Sequence, residues 1–169
     1  MTHAVSVRPR SWALVVCSLI LIALSVRAAI YEFSEALEGV VSSDAWLAVG
    51  ASTLSAVVGL VFLAWAARLK PTVLSWLAAF GWGTGGALIF AGYGNTVIDS
   101  AVAASNLGDD AVDVVTSVVT GPLVEETGKG VGVLVLILAA RKLLTRPAQG
   151  GVLGALVGLG FAWGEDVGY

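Results

Sequence analysis

The sequence has little charge, one cysteine and one histidine. Asp, Glu, Lys and Arg make up 12% of its 169 residues, whereas apolar residues make up 57%. The single cysteine, Cys17, excludes a disulfide within the chain and a metal centre built from several cysteines. The single histidine, His3, lies in the polar amino-terminal stretch. The apolar segments can therefore hold neither a serine–histidine dyad nor a His-Glu-x-x-His zinc motif.

Long apolar runs take up most of the chain. A helix crosses a bilayer core of about 30 Å with about 20 apolar residues. The runs therefore predict an all-α, polytopic membrane helix bundle of about five transmembrane helices. Residues 11–169 would form a single membrane domain after a cytoplasmic tail at 1–10. The predicted spans lie at about 11–30, 45–67, 72–93, 122–140 and 150–169.

The stretch 95–121, before the fourth predicted span, mixes polar and apolar residues. It begins with Asn95 and Asp99 and becomes richer in valine after Asp109. This pattern predicts either an amphipathic interfacial helix or a re-entrant segment, and both alternatives stay open.

Basic residues gather at one end of the predicted spans. Short cytoplasmic loops of membrane proteins are enriched in Lys and Arg. The basic residues at this end are Arg8, Arg10, Arg68, Lys70, Arg141, Lys142 and Arg146. We therefore predict a multi-pass integral protein of the plasma membrane with a cytoplasmic amino terminus. The first segment also has features of a cleaved signal peptide, but its apolar length favours an uncleaved anchor.

Three charged residues lie inside the fourth predicted span. Glu125, Glu126 and Lys129 occupy its first two turns, about 5 to 10 Å inside the extracytoplasmic end. Lys129 follows the glutamates by four and three residues, so it can pair with either. Two carboxylates and one cation leave an excess negative charge, which favours binding of a proton or a cation. A neutralised ion-pair cluster at a helix end is the alternative.

The fifth predicted span brings a second acidic pair, Glu165 and Asp166, to a similar depth. Small residues four apart let membrane helices approach closely. Such steps join Gly128 to Gly132 in the fourth span, and Gly150, Gly154 and Gly158 in the fifth. We predict that these two glycine ladders pack together, so that Glu125 and Glu165 face each other.

Another glycine-rich run reads Gly-Trp-Gly-Thr-Gly-Gly at 81–86. It lacks the lysine that follows in a phosphate-binding loop, and it lies within an apolar span. We therefore interpret it as a helix-packing segment.

Two motifs together carry a family resemblance. The first is Glu125-Glu126-x-x-Lys129, preceded by Gly121-Pro122. The second, about thirty residues on, is Gly158-x-Gly160-Phe161-x-x-x-Glu165-Asp166-x-x-Tyr169. At this spacing the pair resembles the PrsW family of intramembrane proteases, which is related to the CAAX-protease and bacteriocin-processing superfamily.

The resemblance implies a polytopic endopeptidase that cuts membrane-tethered proteins, such as an anti-sigma factor, near the extracytoplasmic face. It implies that Glu125 and Glu126 are the principal catalytic pair and Glu165 the second acid. Lys129, Phe161 and Asp166 would support them. The family has been called both metallo and glutamic, so a divalent metal such as zinc is the implied cofactor, with Glu126 and Glu165 as candidate ligands. The implied partners are a membrane-anchored protein substrate and the lipid bilayer, and no nucleic acid.

One departure from the family pattern concerns histidine. The family continues with further membrane helices that carry a histidine motif, and no such motif follows the second motif here. We therefore expect these residues to be the amino-terminal part of a longer protein, with an incomplete catalytic set. A degenerate paralogue is the alternative.

Two other function classes compete with a protease. The charged residues could form a proton or cation relay in a transporter subunit, although the segments 131–140 and 152–157 offer no polar continuation. The chain could also be a non-catalytic scaffold that binds other membrane helices through its glycines.

Overall fold

Helices account for nearly all of the computed structural model. It describes residues 12, 15–16, 19–24, 26–27, 43–66, 73–105, 107–141 and 144–168, and these contain no strand. The described residues between 12 and 27 are helical. The predicted tail at 1–10, Cys17 and Tyr169 lie outside the described part. So do five of the seven basic residues used to predict orientation: Arg8, Arg10, Arg68, Lys70 and Lys142. The predicted all-α class is confirmed.

Four longer helices follow in chain order. Helix α1 is Ser43–Ala66. Helix α2 runs from Val73 to Ala103 and contains a π-helical turn at Trp82–Ala87. Helix α3 starts as Asp109–Val114, passes through a second π-helical turn at Val115–Thr120, and continues as Gly121–Ala140. Helix α4 is Pro147–Gly168.

The mixed stretch 95–121 is divided between two helices. Its first part extends α2 to Ala103, beyond the predicted end at 93, and its second part forms the start of α3. Pro122 gives a physical reason for the π-helical turn just before it. Proline has no N–H to donate to the carbonyl four residues earlier, and its ring collides with that carbonyl. Widening the preceding turn accommodates the ring without ending the helix.

Helix α4 begins three residues before the predicted start at 150. Pro147 occupies its first turn, where a missing N–H does no harm. The side chain of Gln149 turns back and accepts hydrogen bonds from the backbone N–H groups of Thr145 (2.7 Å) and Arg146 (3.1 Å). These bonds satisfy donors that a helix start otherwise leaves open.

Helix α4 lies in the middle of the bundle and packs against α1, α2 and α3. Its residues Leu153, Leu156 and Val157 are fully buried and join Leu136 of α3 in the main core cluster. Helices α3 and α4 run antiparallel, since Gly150 faces Ile137 at one end and Phe161 faces Lys129 at the other. The two acidic motifs are therefore at the same end of the bundle.

The outer surface of the bundle is apolar, as a bilayer requires. Leu47 and Trp65 of α1 are more than 70% exposed. Two helices are long and apolar enough to cross a membrane, at Val49–Ala66 and Val73–Ala103 among the described residues. Helix α3 has three charged residues in Gly121–Ala140, and α4 has several polar ones beside its many glycines. Within the described ranges, length and composition thus single out two spans, and they do not confirm the predicted five.

Candidate functional site

The charged residues of α3 form a compact cluster around Lys129. The Lys129 Nζ atom donates a hydrogen bond to Glu126 Oε1 at 2.8 Å and lies 3.9 Å from Glu125 Oε2. Their spacing in the helix places all three side chains on adjoining positions of one surface. The Lys129 side chain is 19% exposed, that of Glu125 29% and that of Glu126 72%. The cation is therefore the most sheltered member of the cluster.

Helix α4 brings its own motif to the same place. The Lys129 Nζ atom lies 3.9 Å from the centre of the Phe161 ring, a cation–π contact, and Phe161 is fully buried. One turn further along α4, Glu165 lies within electrostatic range of both Glu125 and Lys129. Asp166, next to it, is exposed. The fold therefore brings Phe161 and Glu165 of the second motif to the charged residues of the first.

The predicted contact between the two glycine ladders is wrong. A methyl group built on Gly128 would meet Phe90 of α2 at 2.8 Å, and one built on Gly132 would collide with the indole of Trp82. Both glycines of α3 therefore face α2. A methyl group on Gly154 or Gly158 of α4 would meet nothing within 4 Å. Side chains at the end of the helices, rather than the ladders, bring α3 and α4 together at the cluster.

An open groove between α3 and α4 leads to the cluster. It has a volume of about 460 Å³ and is lined at one end by Glu126 and Lys129. The walls beyond them are uncharged and consist of Gly130, Val133, Leu134, Ile137, Gly154 and Gly158. The unfilled space beside Gly154 and Gly158 is thus part of this groove.

The described residues do not by themselves fit a divalent metal. A zinc site in an enzyme normally has three protein ligands from histidine, cysteine or carboxylate side chains. Among the described residues, no group of three or more such side chains is arranged to hold a metal ion. Of the two candidate ligands, Glu126 is instead bound to the Lys129 ammonium at 2.8 Å.

Sequence reasoning did not find the part that Trp82 plays next to the cluster. The Trp82 Nε1–H group donates a hydrogen bond of 3.0 Å to the backbone carbonyl of Gly128, the residue before Lys129. The close contacts of the run 81–86 with α3 and α4 confirm its interpretation as a packing segment. The π-helical turn that contains Trp82 has no periodic signature in the sequence.

Comparison with known proteins agrees with the geometry. The family described as PrsW family intramembrane metalloprotease matches residues 71–169, a range that contains α2, α3, α4 and every residue of the cluster. No curated protein and no solved structure matches the chain significantly. Because the match covers more than half of the chain, the protein belongs to the PrsW family of intramembrane metalloproteases.

Proposed function

We propose that this protein is an intramembrane endopeptidase that cleaves membrane-tethered proteins near the extracytoplasmic face. The observation that carries the proposal is the pairing of Glu125 and Glu126 with one sheltered cation, Lys129, which also lies against Phe161 of α4, one turn from Glu165. Catalytic carboxylates need a neighbouring group that offsets their charge and fixes their position. An ion pair with a purely structural role would need only one glutamate to neutralise the charge of Lys129.

In this proposal Glu125 acts as the general base. It is the less exposed of the adjacent glutamates, and Glu126 is the one bound to Lys129. The water oxygen adds to the carbonyl carbon of the scissile bond while a carboxylate accepts the water proton. The carbon–nitrogen bond then breaks as that proton passes to the leaving amine. Lys129 offsets the negative charge of the assembled carboxylates, and Glu165 is the second acid.

The groove between α3 and α4 offers a path for the substrate. Its walls beyond Lys129 are uncharged, which suits an apolar segment within a membrane, and the open space at Gly154 and Gly158 lets a polypeptide backbone approach closely. Its charged end coincides with the proposed catalytic group. A membrane-anchored regulatory protein, such as an anti-sigma factor, belongs to the substrate class that we propose.

The proposed site also fits a definite membrane arrangement. We propose that 11–169 form one multi-pass domain of about five transmembrane helices in the plasma membrane, with the amino terminus in the cytoplasm. Helices α3 and α4 would then span the bilayer with their charges sheltered by each other, because intramembrane charges usually face protein or water. Reporter fusions at residues 1, 105 and 145 would test the arrangement, since they should report the cytoplasm, the outside and the cytoplasm.

Cleavage of a defined single-span reporter in cells tests the proposed activity. We expect cleavage by the protein, tested with and without its downstream coding sequence, and loss of cleavage in Glu125→Gln and Glu126→Gln. The matched control is Asp113→Asn, which removes an exposed charge from the same helix about 18 Å away and should leave cleavage unchanged. Cleavage that persists in both glutamate variants would refute the proposal.

A proton or cation relay is the second candidate. It is favoured by the same group of carboxylates in a membrane helix, but a relay needs a polar path beyond them. The groove walls beyond Lys129 are apolar, which favours the protease. Proton flux into proteoliposomes that disappears in Glu125→Gln would favour the relay.

A further inference from the structure

The π-helical turn of α2 is the part of the fold that touches both site helices next to the cluster. Trp82 opens this turn and donates its indole hydrogen bond to the Gly128 carbonyl of α3 at 3.0 Å. That carbonyl already accepts the N–H of Gly132, as in any α-helix. The indole of α2 is therefore a second donor to this carbonyl, in the turn of α3 that bears Glu125 and Lys129.

The indole is also held in a notch made by glycines. A methyl group on Gly132 of α3 would collide with the five-membered ring, and one on Gly86 of α2 would collide with the six-membered ring. The two contacts fix the ring on both sides. Because the ring fills the notch, α3 can neither rotate nor slide against α2 at this level without breaking packing or the hydrogen bond.

The same turn of α2 also fixes α4. A methyl group on Gly83 would collide with the Val157 carbonyl, and a methyl group on Gly164, next to Glu165, would meet the Thr84 carbonyl oxygen at 3.0 Å. Backbone atoms cannot move aside as a flexible side chain can. The distance between the α3 turn that bears Lys129 and the α4 turn that bears Glu165 is therefore set through one short segment of α2.

From these contacts we propose that Trp82 is a positioning residue, whose indole N–H holds Lys129 and Glu125 in register with Phe161 and Glu165. The proposal rests on the proposed proteolytic function for its kinetic consequence. Its structural consequence, the placement of Lys129, can be measured without any cleavage. π-Helical turns within α-helices are frequent at functional sites, which agrees with such a role.

The test compares two tryptophans that make similar hydrogen bonds. Trp82→Phe removes the N–H group that α2 donates to α3. Trp163→Phe removes a 3.1 Å hydrogen bond from α4 to Thr53 of α1, a helix that bears no charged residue of the cluster. A second Trp82 variant carries benzothienylalanine, which keeps the shape of the ring and replaces the N–H by sulfur. This variant separates the lost donor from lost packing.

The kinetic readout is cleavage of the single-span reporter by purified protein in detergent. We expect kcat to fall about three- to tenfold in both Trp82 variants, the rate equivalent of one lost hydrogen bond, with KM unchanged because the groove is intact. Trp163→Phe should leave kcat within twofold. A purely structural role would lower the amount of folded protein and leave kcat per folded molecule unchanged, which would overturn the proposal.

The second readout is the rate at which an amine-specific reagent modifies Lys129, measured by mass spectrometry. We expect a severalfold increase in both Trp82 variants and no change in Trp163→Phe, with Glu126→Gln as the positive control. An unchanged rate in the Trp82 variants would refute the positioning role even in an active protease. If the wild-type protein cleaves nothing and the rate still rises, the proteolytic function fails while the positioning of Lys129 stands.

Discussion

Gly132→Ala and Gly130→Ala form a matched pair that tests the packing between α2 and α3. The two glycines are two residues apart in α3, yet a methyl group at Gly132 would collide with the indole of Trp82, and one at Gly130 would meet nothing within 4 Å. Carbon atoms in contact lie about 3.5 Å apart, so the indole would have to move by about 1 Å or more in Gly132→Ala. That shift would also stretch its hydrogen bond to the Gly128 carbonyl.

The expected change in the free energy of unfolding has three contributions. Overpacking costs about 1–3 kcal/mol, and the lost hydrogen bond costs about 1 kcal/mol. Alanine returns up to about 1 kcal/mol because it favours a helix more than glycine does. Gly132→Ala should therefore lower the free energy of unfolding by about 1–3 kcal/mol, whereas Gly130→Ala should leave it unchanged or raise it by up to about 1 kcal/mol.

The assay is unfolding of the purified protein by titration of a denaturing detergent into a mild one, followed by far-ultraviolet circular dichroism. Both variants should be measured against the wild type under the same lipid and detergent conditions. Equal stability of the two variants would refute the reasoning, because the contact between Trp82 and Gly132 would then not constrain the helices.

Three further predictions concern α4. Gly160→Ala would push a methyl group against the Phe80 carbonyl, so it should lower the free energy of unfolding by about 3 kcal/mol. Gly158→Ala places its methyl group in open space, so it should have no such effect in the same detergent titration. Phe161→Leu removes the cation–π contact with Lys129, and a double-mutant cycle with Lys129→Gln should give a coupling free energy of about 0.5–2 kcal/mol; a coupling of zero would contradict the contact. Gly154→Leu should fill the groove and raise the KM for reporter cleavage severalfold with unchanged stability. The control Ala155→Leu, exposed on the same helix and outside the groove, should leave the KM unchanged. Equal KM values in the two variants would count against the proposed substrate path.

Part of the site could be predicted because it depends on local spacing. Glu125, Glu126 and Lys129 are neighbours on any helix, so their ion pairs follow from the sequence. The pairing of Lys129 with Phe161 joins residues far apart in the chain. The family resemblance placed them in one site but gave no contact between them. The charged ends of α3 and α4 meet because the helices are antiparallel, which the alternation of predicted spans already required.

The helix ends and the role of the glycines could not be predicted as well. The continuation of α2 to Ala103 was missed in the mixed stretch 95–121, because polar residues in a helix that extends beyond an apolar core are also typical of an interfacial or re-entrant segment. Glycine ladders indicate a close approach but not the partner. Gly128 and Gly132 therefore suggested α4 as the partner, whereas Phe90 and Trp82 of α2 fill the space beside them.

The sequence by itself determined the helical class, the apolar surface and the family, since each depends on composition or on motifs within a short stretch of chain. Only the tertiary structure decided which helix fills each glycine notch, and that α2, through Trp82 and Gly83, sets the distance between the two acidic helices. The physical reason is that a glycine in the sequence indicates only that a side chain is missing. What occupies the vacated space depends on the whole bundle.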